Sequence, residues 1–328
     1  MERIIDGFLY EGKKVPDTWD FRIWECNGHR EISARQAVVW HEVGPAPLDV
    51  SRMGSALDSN GNMVYSGPGT PAEQAKWAEQ DAADAEKRRM ANLKRSAGRA
   101  KTKCRRVIKT EGFDEMLTLS YRENMTDLDI ASAHLKEWVR RMKKALPGFR
   151  YCGAREPQKR GAIHWHVMTH RLPKHAFYKG VQIKAFELGT RIWRDVIGKY
   201  PFQGPLQPGH VWPDLDNGMC FVGGKNRHGV PARGVGRSIA SMAAYVTAYI
   251  TKCFEEAPEG KNRYSRSNGT PLPPTYTVRV HECDYGSAVK LGFRLDAGER
   301  VVTHTLGPWR DSYWLVTEPD IVKRPPVQ

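Results

Sequence analysis

Two short stretches hold side chains whose types and spacing suit chemistry. In Ile163-His164-Trp165-His166-Val167 the alternation of a strand puts His164 and His166 on one face. Ile163, Trp165 and Val167 take the other face, where a core is expected. Two neutral imidazoles side by side suit a divalent metal. Glu156 ends the preceding strand-like run, and a hairpin folds its carboxylate back beside the histidines. Two histidines and one carboxylate with open positions make a catalytic metal site; the plain alternative is a pair of histidines on an exposed strand face. The second stretch, Tyr245-Val246-Thr247-Ala248-Tyr249-Ile250-Thr251-Lys252, reads as a helix. Tyr245, Tyr249 and Lys252 then share a face, the tyrosines with Cβ atoms roughly 5–6 Å apart. A phenol, with a pKa of about 10, attacks poorly unless a neighbour removes or stabilises its charge, and a metal or a lysine does so. The plain alternative is a packed pair of aromatics with polar tips.

Several elements must position these groups. An apolar run at 116–121 reads as a strand. Asp127 or Thr126 caps a helix to about 146, with Leu128, Ile130, Ala131, Leu135, Trp138 and Met142 on its apolar side. Pro147-Gly148 ends it. Residues 149–155 and 162–169 read as strands joined through 156–161. A second helix is expected over about 183–196. A third, after the Gly-rich stretch 223–236, is expected over about 238–254. This order predicts an α+β domain with an antiparallel sheet and helices packed on it.

The flanks are less specific. Residues 71–109 look helical, acidic at first and then basic from Lys87 to Lys109 without a carboxylate. Lys94, Arg95, Arg99, Lys103 and Arg106 are candidate contacts to a phosphate backbone, and Arg99, Lys103 and Arg106 recur at helical spacing. A solvated helix face is the bland alternative. The tail begins with a Pro/Gly-rich connection at about 257 and then has strand-like runs such as 275–280. Four regions result: 1–70, without an assigned role; 71–110, charged and helical; 111–256, the α+β domain; and 257–328, small and β-rich. Gly7–Lys14 superficially matches a phosphate-binding loop. Lys14 stands where a Ser or Thr should hold the metal, and no buried strand precedes Gly7, so the match is rejected.

Composition narrows the partner. The formal net charge is +14 over 328 residues, which favours an acidic polymer through steering and counterion release. The six cysteines contain no Cys-x-x-Cys pair, which argues against a zinc ribbon or a disulfide scaffold. No apolar run approaches the roughly 20 residues that span a bilayer. The opening residues do not read as a signal peptide, and a reducing cytoplasm is the expected setting.

Taken in order, the Thr-Leu-Ser strand at 116–121, the His-Trp-His strand and the tyrosine helix with its downstream lysine resemble the HUH endonucleases. The resemblance covers about residues 94–256. Two tyrosines on the helix are similar to the replication initiators of small single-stranded DNA phages, filamentous phages included, and of some rolling-circle plasmids and transposons. Histidines ahead of tyrosines differ from conjugative relaxases, and the second tyrosine differs from compact single-tyrosine transposases. The resemblance implies a HUH/Rep-type nuclease domain holding Mg²⁺ or Mn²⁺ on His164, His166 and Glu156. It implies Tyr245 and Tyr249 as nucleophiles with Lys252 beside them, Tyr249 being favoured for the first cut. The reaction implied is single-strand nicking through a 5′-phosphotyrosine, leaving a 3′ hydroxyl primer. Implied partners are single-stranded or supercoiled origin DNA, a host polymerase and a helicase, in a bacterial host's cytoplasm and with no membrane. A two-tyrosine transposase and a non-cutting origin-binding protein are the alternatives.

Overall fold

Aromatic and β-branched residues alternate with charged ones near the start of the chain, and they build a sheet. The computed structural model describes residues 1–47, 55–57, 59–65, 70–157, 161–178, 180–198, 218–222, 238–252, 262–295 and 300–319. Strands β1 (Glu2–Ile5), β2 (Phe8–Cys26) and β3 (His29–Pro45) run antiparallel. Asn27 and Gly28, both at positive φ, form the two-residue turn between β2 and β3, which suits the right-handed twist of a hairpin. A small hairpin follows, β4 (Ser55–Leu57) with β5 (Met63–Tyr65).

Helix α1 (Pro71–Glu111) is the longest element described. A capping box starts it. The Thr70 hydroxyl accepts from the Glu73 amide at 3.3 Å, and the Glu73 carboxylate accepts from the Thr70 amide at 2.7 Å. Gly112 in the left-handed region stops it. Then come β6 (Glu115–Tyr121), α2 (Leu128–Ala145), β7 (Tyr151–Pro157), β8 (Ile163–Thr169), β9 (His175–Tyr178) and β10 (Val181–Lys184). They are followed by α3 (Ala185–Ile197), β11 (Gly218–Val222), α4 (Ile239–Lys252) and β12 (Tyr264–Arg266). The last elements are β13 (Tyr276–Val280), α5 (Tyr285–Arg294), β14 (Arg300–Leu306) and β15 (Ser312–Glu318).

Two large antiparallel sheets result, beside the separate hairpins β4–β5 and β9–β10, so the fold is α+β as expected. The central sheet has the order β11-β6-β8-β7-β12. One face packs α2 and α3 through Leu135, Trp138, Met142, Leu188 and Trp193, against Leu117, Leu119, Trp165 and Val167. The other face packs the second half of α1 and α4, through Cys104, Val107, Ile108, Ala243, Val246 and Ile250, against Cys152, Ala154 and Met168. The second sheet has the order β1-β2-β3-β15-β14, with β13 also on β2. The first and last regions marked out in the sequence therefore share one sheet. Helix α5 covers one face of it around Phe21, Ile32 and Leu315. Gly292 makes that approach possible, because a Cβ there would collide with the Tyr313 ring.

Some boundaries moved. The second helix starts at Ala185 rather than 183, because Ile183 pairs with Ala176 in the β9–β10 hairpin. The third is described to Lys252; residues 253–254, the Gly-rich stretch 223–236 and the connecting residues 158–160 lie outside the described residues. Residues 7–14 form a turn and the start of β2 with no helix after them, the wrong frame for a phosphate-binding loop.

Candidate active site

Helix α1 turns three faces to three surroundings. Cys104, Val107 and Ile108 face the central sheet. Arg105 and Lys109 face the second sheet, where both bond the buried Glu31 carboxylate, Arg105 with two nitrogens at 2.7 and 2.8 Å and Lys109 at 2.8 Å. Lys94, Arg95, Arg99 and Lys103 are exposed. Arg106 lies between these faces. It reaches Glu31 at 3.4 Å and the Thr275 hydroxyl at 2.8 Å, and its guanidinium stands 5.0 Å over the Trp24 ring. Not all of the basic run therefore faces solvent: Lys109 and Arg105 tie the helix to the second sheet.

Strand alternation does at the histidines what the spacing requires. Trp165 points into the core with α2, and His166 points to the face that α4 covers. The register aligns Thr118, His166 and Ala154 across β6, β8 and β7, and pairs Glu156 with His164. His166 is buried and His164 half-buried. The His166 Nε2 lies 2.5 Å from a Glu156 carboxylate oxygen, and its Nδ1 lies 3.1 Å from the Thr118 hydroxyl. Both ring nitrogens are thus held.

Helix α4 brings the tyrosines to the same place. Ala243, Val246 and Ile250 anchor it to the sheet, and Tyr245 and Tyr249 stand at the edge of that anchored face. Their rings are 5.4 Å apart, edge to face. The Tyr249 ring stacks on His166 at 5.2 Å, and the Tyr245 ring meets His166 edge-on at 5.6 Å. Burial raises the Tyr249 phenol above its ordinary range, helped by the nearby Tyr245 hydroxyl and by the negative charge of Glu156. Burial alone would raise Glu156; the His166 hydrogen bond, with the nearby Tyr249 phenol, outweighs it and holds the carboxyl below its usual range. Lys252 is the last residue of α4, and its side chain lies outside the described residues.

Glu156, His164, His166, Tyr245 and Tyr249 are therefore brought together, while the exposed cations of α1 form a separate strip. The donor chemistry of two imidazoles and a carboxylate suits a divalent ion. The spacing is that of a direct imidazole–carboxylate bond, and among the described residues no three His, Cys, Asp or Glu side chains stand at ion-holding spacing.

Thr118 is the site residue that sequence reading passed over, although it sits in the middle of the Thr-Leu-Ser strand. Its hydroxyl bonds the His166 Nδ1 and holds the direction of the ring, as outer hydrogen bonds do for ligating histidines. Thr118→Val keeps the shape and removes that bond. If the site attaches DNA covalently, the rate should fall about tenfold or more, with Thr118→Ser close to wild type and the melting temperature little changed. A Val variant as fast as wild type would remove Thr118 from the site.

The stretch that carries β6 through α4 also matches a known family. The family model described as Replication-associated protein ORF2 aligns with residues 114–254. The match supports a replication-initiator-like protein. No curated protein and no solved structure matches the chain. No helix among the described residues is long and apolar enough to cross a membrane.

Proposed function

We propose that this protein initiates rolling-circle replication by nicking one strand of origin DNA and joining a tyrosine to the new 5′ end. The observation that carries this reading is the stacking of Tyr249 on His166, whose Nε2 is bonded to Glu156. In the reaction the phenolic oxygen attacks phosphorus in line, the bond from phosphorus to the 3′ oxygen breaks, and the 3′ oxygen takes a proton from water and departs as the hydroxyl that primes a host polymerase. Glu156, bonded to the His166 ring on which Tyr249 stacks, is the carboxylate that takes the phenolic proton. His166, clamped by Thr118 and Glu156, supports the Tyr249 ring from beneath. A divalent ion such as Mg²⁺ or Mn²⁺, held by His164, His166 and Glu156, would withdraw charge from the phosphate oxygens. The phosphotyrosine conserves the energy of the broken phosphodiester, so a later 3′ hydroxyl reseals the strand without ATP.

The test is a covalent adduct between the protein and a single-stranded origin oligonucleotide, read on a denaturing gel. EDTA should abolish it, Mg²⁺ or Mn²⁺ should restore it, and the His164→Ala, His166→Ala double variant should show almost none. Adduct formation that persists in EDTA would assign Glu156 and His166 to proton transfer alone. No adduct under any condition would leave a non-cutting origin-binding protein. Cutting at mobile-element ends rather than at a replication origin would instead indicate a two-tyrosine transposase.

A further inference from the structure

A cleft of about 450 Å³ opens between α1 and the second sheet. Its floor is one register line across four strands: Thr277 pairs with Arg22, Arg22 with Ser33, and Ser33 with Trp314. Its wall is α1, which contributes Thr102, Arg105 and Arg106. The charge does not balance. Three arginines line the cleft against the single carboxylate of Glu31, and Lys109 already shares that carboxylate. Asp20, on the same face of β2, is matched by Arg279 at 2.7 Å. A half-buried surplus of cations is costly unless an anion completes it.

Helical geometry connects the cleft to the surface. Arg95, Arg99 and Lys103 lie on the exposed edge of α1, and Arg106, on nearly the same line, turns into the cleft. A polymer of phosphates following that edge arrives at Arg106 and Arg22. Hydroxyls stand there too, on Ser33, Thr102 and Thr277. Guanidinium and hydroxyl donors are the groups that hold nucleic-acid phosphates without reading bases.

We infer that the cleft between α1 and the second sheet is a binding site for the DNA phosphodiester backbone, separate from the tyrosine site and continuous with the exposed basic edge of α1. The inference rests on the reading that this protein handles DNA, and gives a role to a surface built by both ends of the chain. Arg22 is exposed, so its replacement leaves the core intact.

The experiment measures binding of labelled random-sequence DNA by fluorescence anisotropy across a salt series, for wild type, Arg22→Gln and Arg22→Lys. Arg22→Gln should weaken all sequences alike. It should reduce the slope of log affinity against log salt by about 0.7–0.9, the loss of one phosphate contact. Arg22→Lys keeps the charge and should keep the slope. An unchanged slope in Arg22→Gln, or equal losses in both variants, overturns the site. The wild-type adduct assay decides the nickase reading independently, since a protein that forms no adduct still reports its salt slope.

Discussion

Replacing Tyr245 and Tyr249 together by phenylalanine should abolish the covalent adduct, by at least about a thousandfold, or about 4 kcal/mol of barrier. Phenylalanine keeps the ring packing on His166 and removes only the hydroxyls, so the double variant should melt close to wild type. The single variants should differ from one another. Tyr249 stacks on His166, whereas Tyr245 touches His166 edge-on and is more exposed. Tyr249→Phe should therefore impair the first cut more. Tyr245→Phe should still form an adduct with a short oligonucleotide but fail to release unit-length circles over repeated rounds. The reason is geometric. After the first attack Tyr249 is blocked by the 5′ end, and the regenerated origin must be cut by a second phenol at nearly the same point. Four residues on one helix supply it. Complete rounds of circle production by Tyr245→Phe would make Tyr245 a packing residue and the protein a one-tyrosine enzyme.

Glu31→Ala should be strongly destabilising. The carboxylate is buried and bonds both Arg105 and Lys109. Removing it leaves two buried cations without their anion, a loss of about 3–5 kcal/mol in comparable cases. Urea titration should show a lower midpoint with an unchanged slope. A loss under about 1 kcal/mol would mean that water or another anion serves these cations. Acid should reveal the same cluster. Burial works to raise the Glu31 carboxyl, but the Arg105 bond and the charges of Lys109 and Arg105 prevail and hold it at about 2, against an ordinary 4.5. A depressed carboxyl stabilises the fold above the ordinary value, and that contribution is lost as pH falls through about 2. Burial, with the charge of Lys109, also pushes the His29 imidazole down to about 4 from 6.5. Its contribution is present above 6.5 and lost as pH falls toward 4. Wild type should lose stability in both windows, and Glu31→Gln should flatten the lower one.

Much of the candidate site was legible because its signals are local. The alternation around His164 and His166 assigns faces, and the four-residue tyrosine spacing assigns a helix edge. The apolar side of 128–142 finds α2 with its Asp127 cap. What escaped was non-local. Residues 1–70 suggest no role on their own, although Asn27-Gly28 between alternating runs is a hairpin signal in its own right. No periodicity in β2 or β3 reveals that their neighbours are β13 and β15, which come from the far end of the chain. The charge run of α1 concealed the fate of Arg105 and Lys109, since a buried cation and a solvated one look alike until Glu31 is placed beside them. Thr118 escaped for a related reason: one hydroxyl in an apolar strand gains meaning only from its cross-strand partner.

Helix α1 also decides how the molecule can be taken apart. The family match begins at residue 114, after α1 has ended. Yet the lid over Cys152, Ala154 and Met168 is made partly of Cys104, Val107 and Ile108. A fragment excised at the matched boundaries would bare that surface, at a cost of roughly 1.5–3 kcal/mol for each large apolar side chain left uncovered. Adding the helix back brings Arg105 and Lys109, which in turn require Glu31 on β3. The seam between the family-matched unit and the remainder thus runs lengthwise through one helix instead of across a linker. A fragment cut from this chain to hold the histidine and tyrosine site must carry the opening sheet with it.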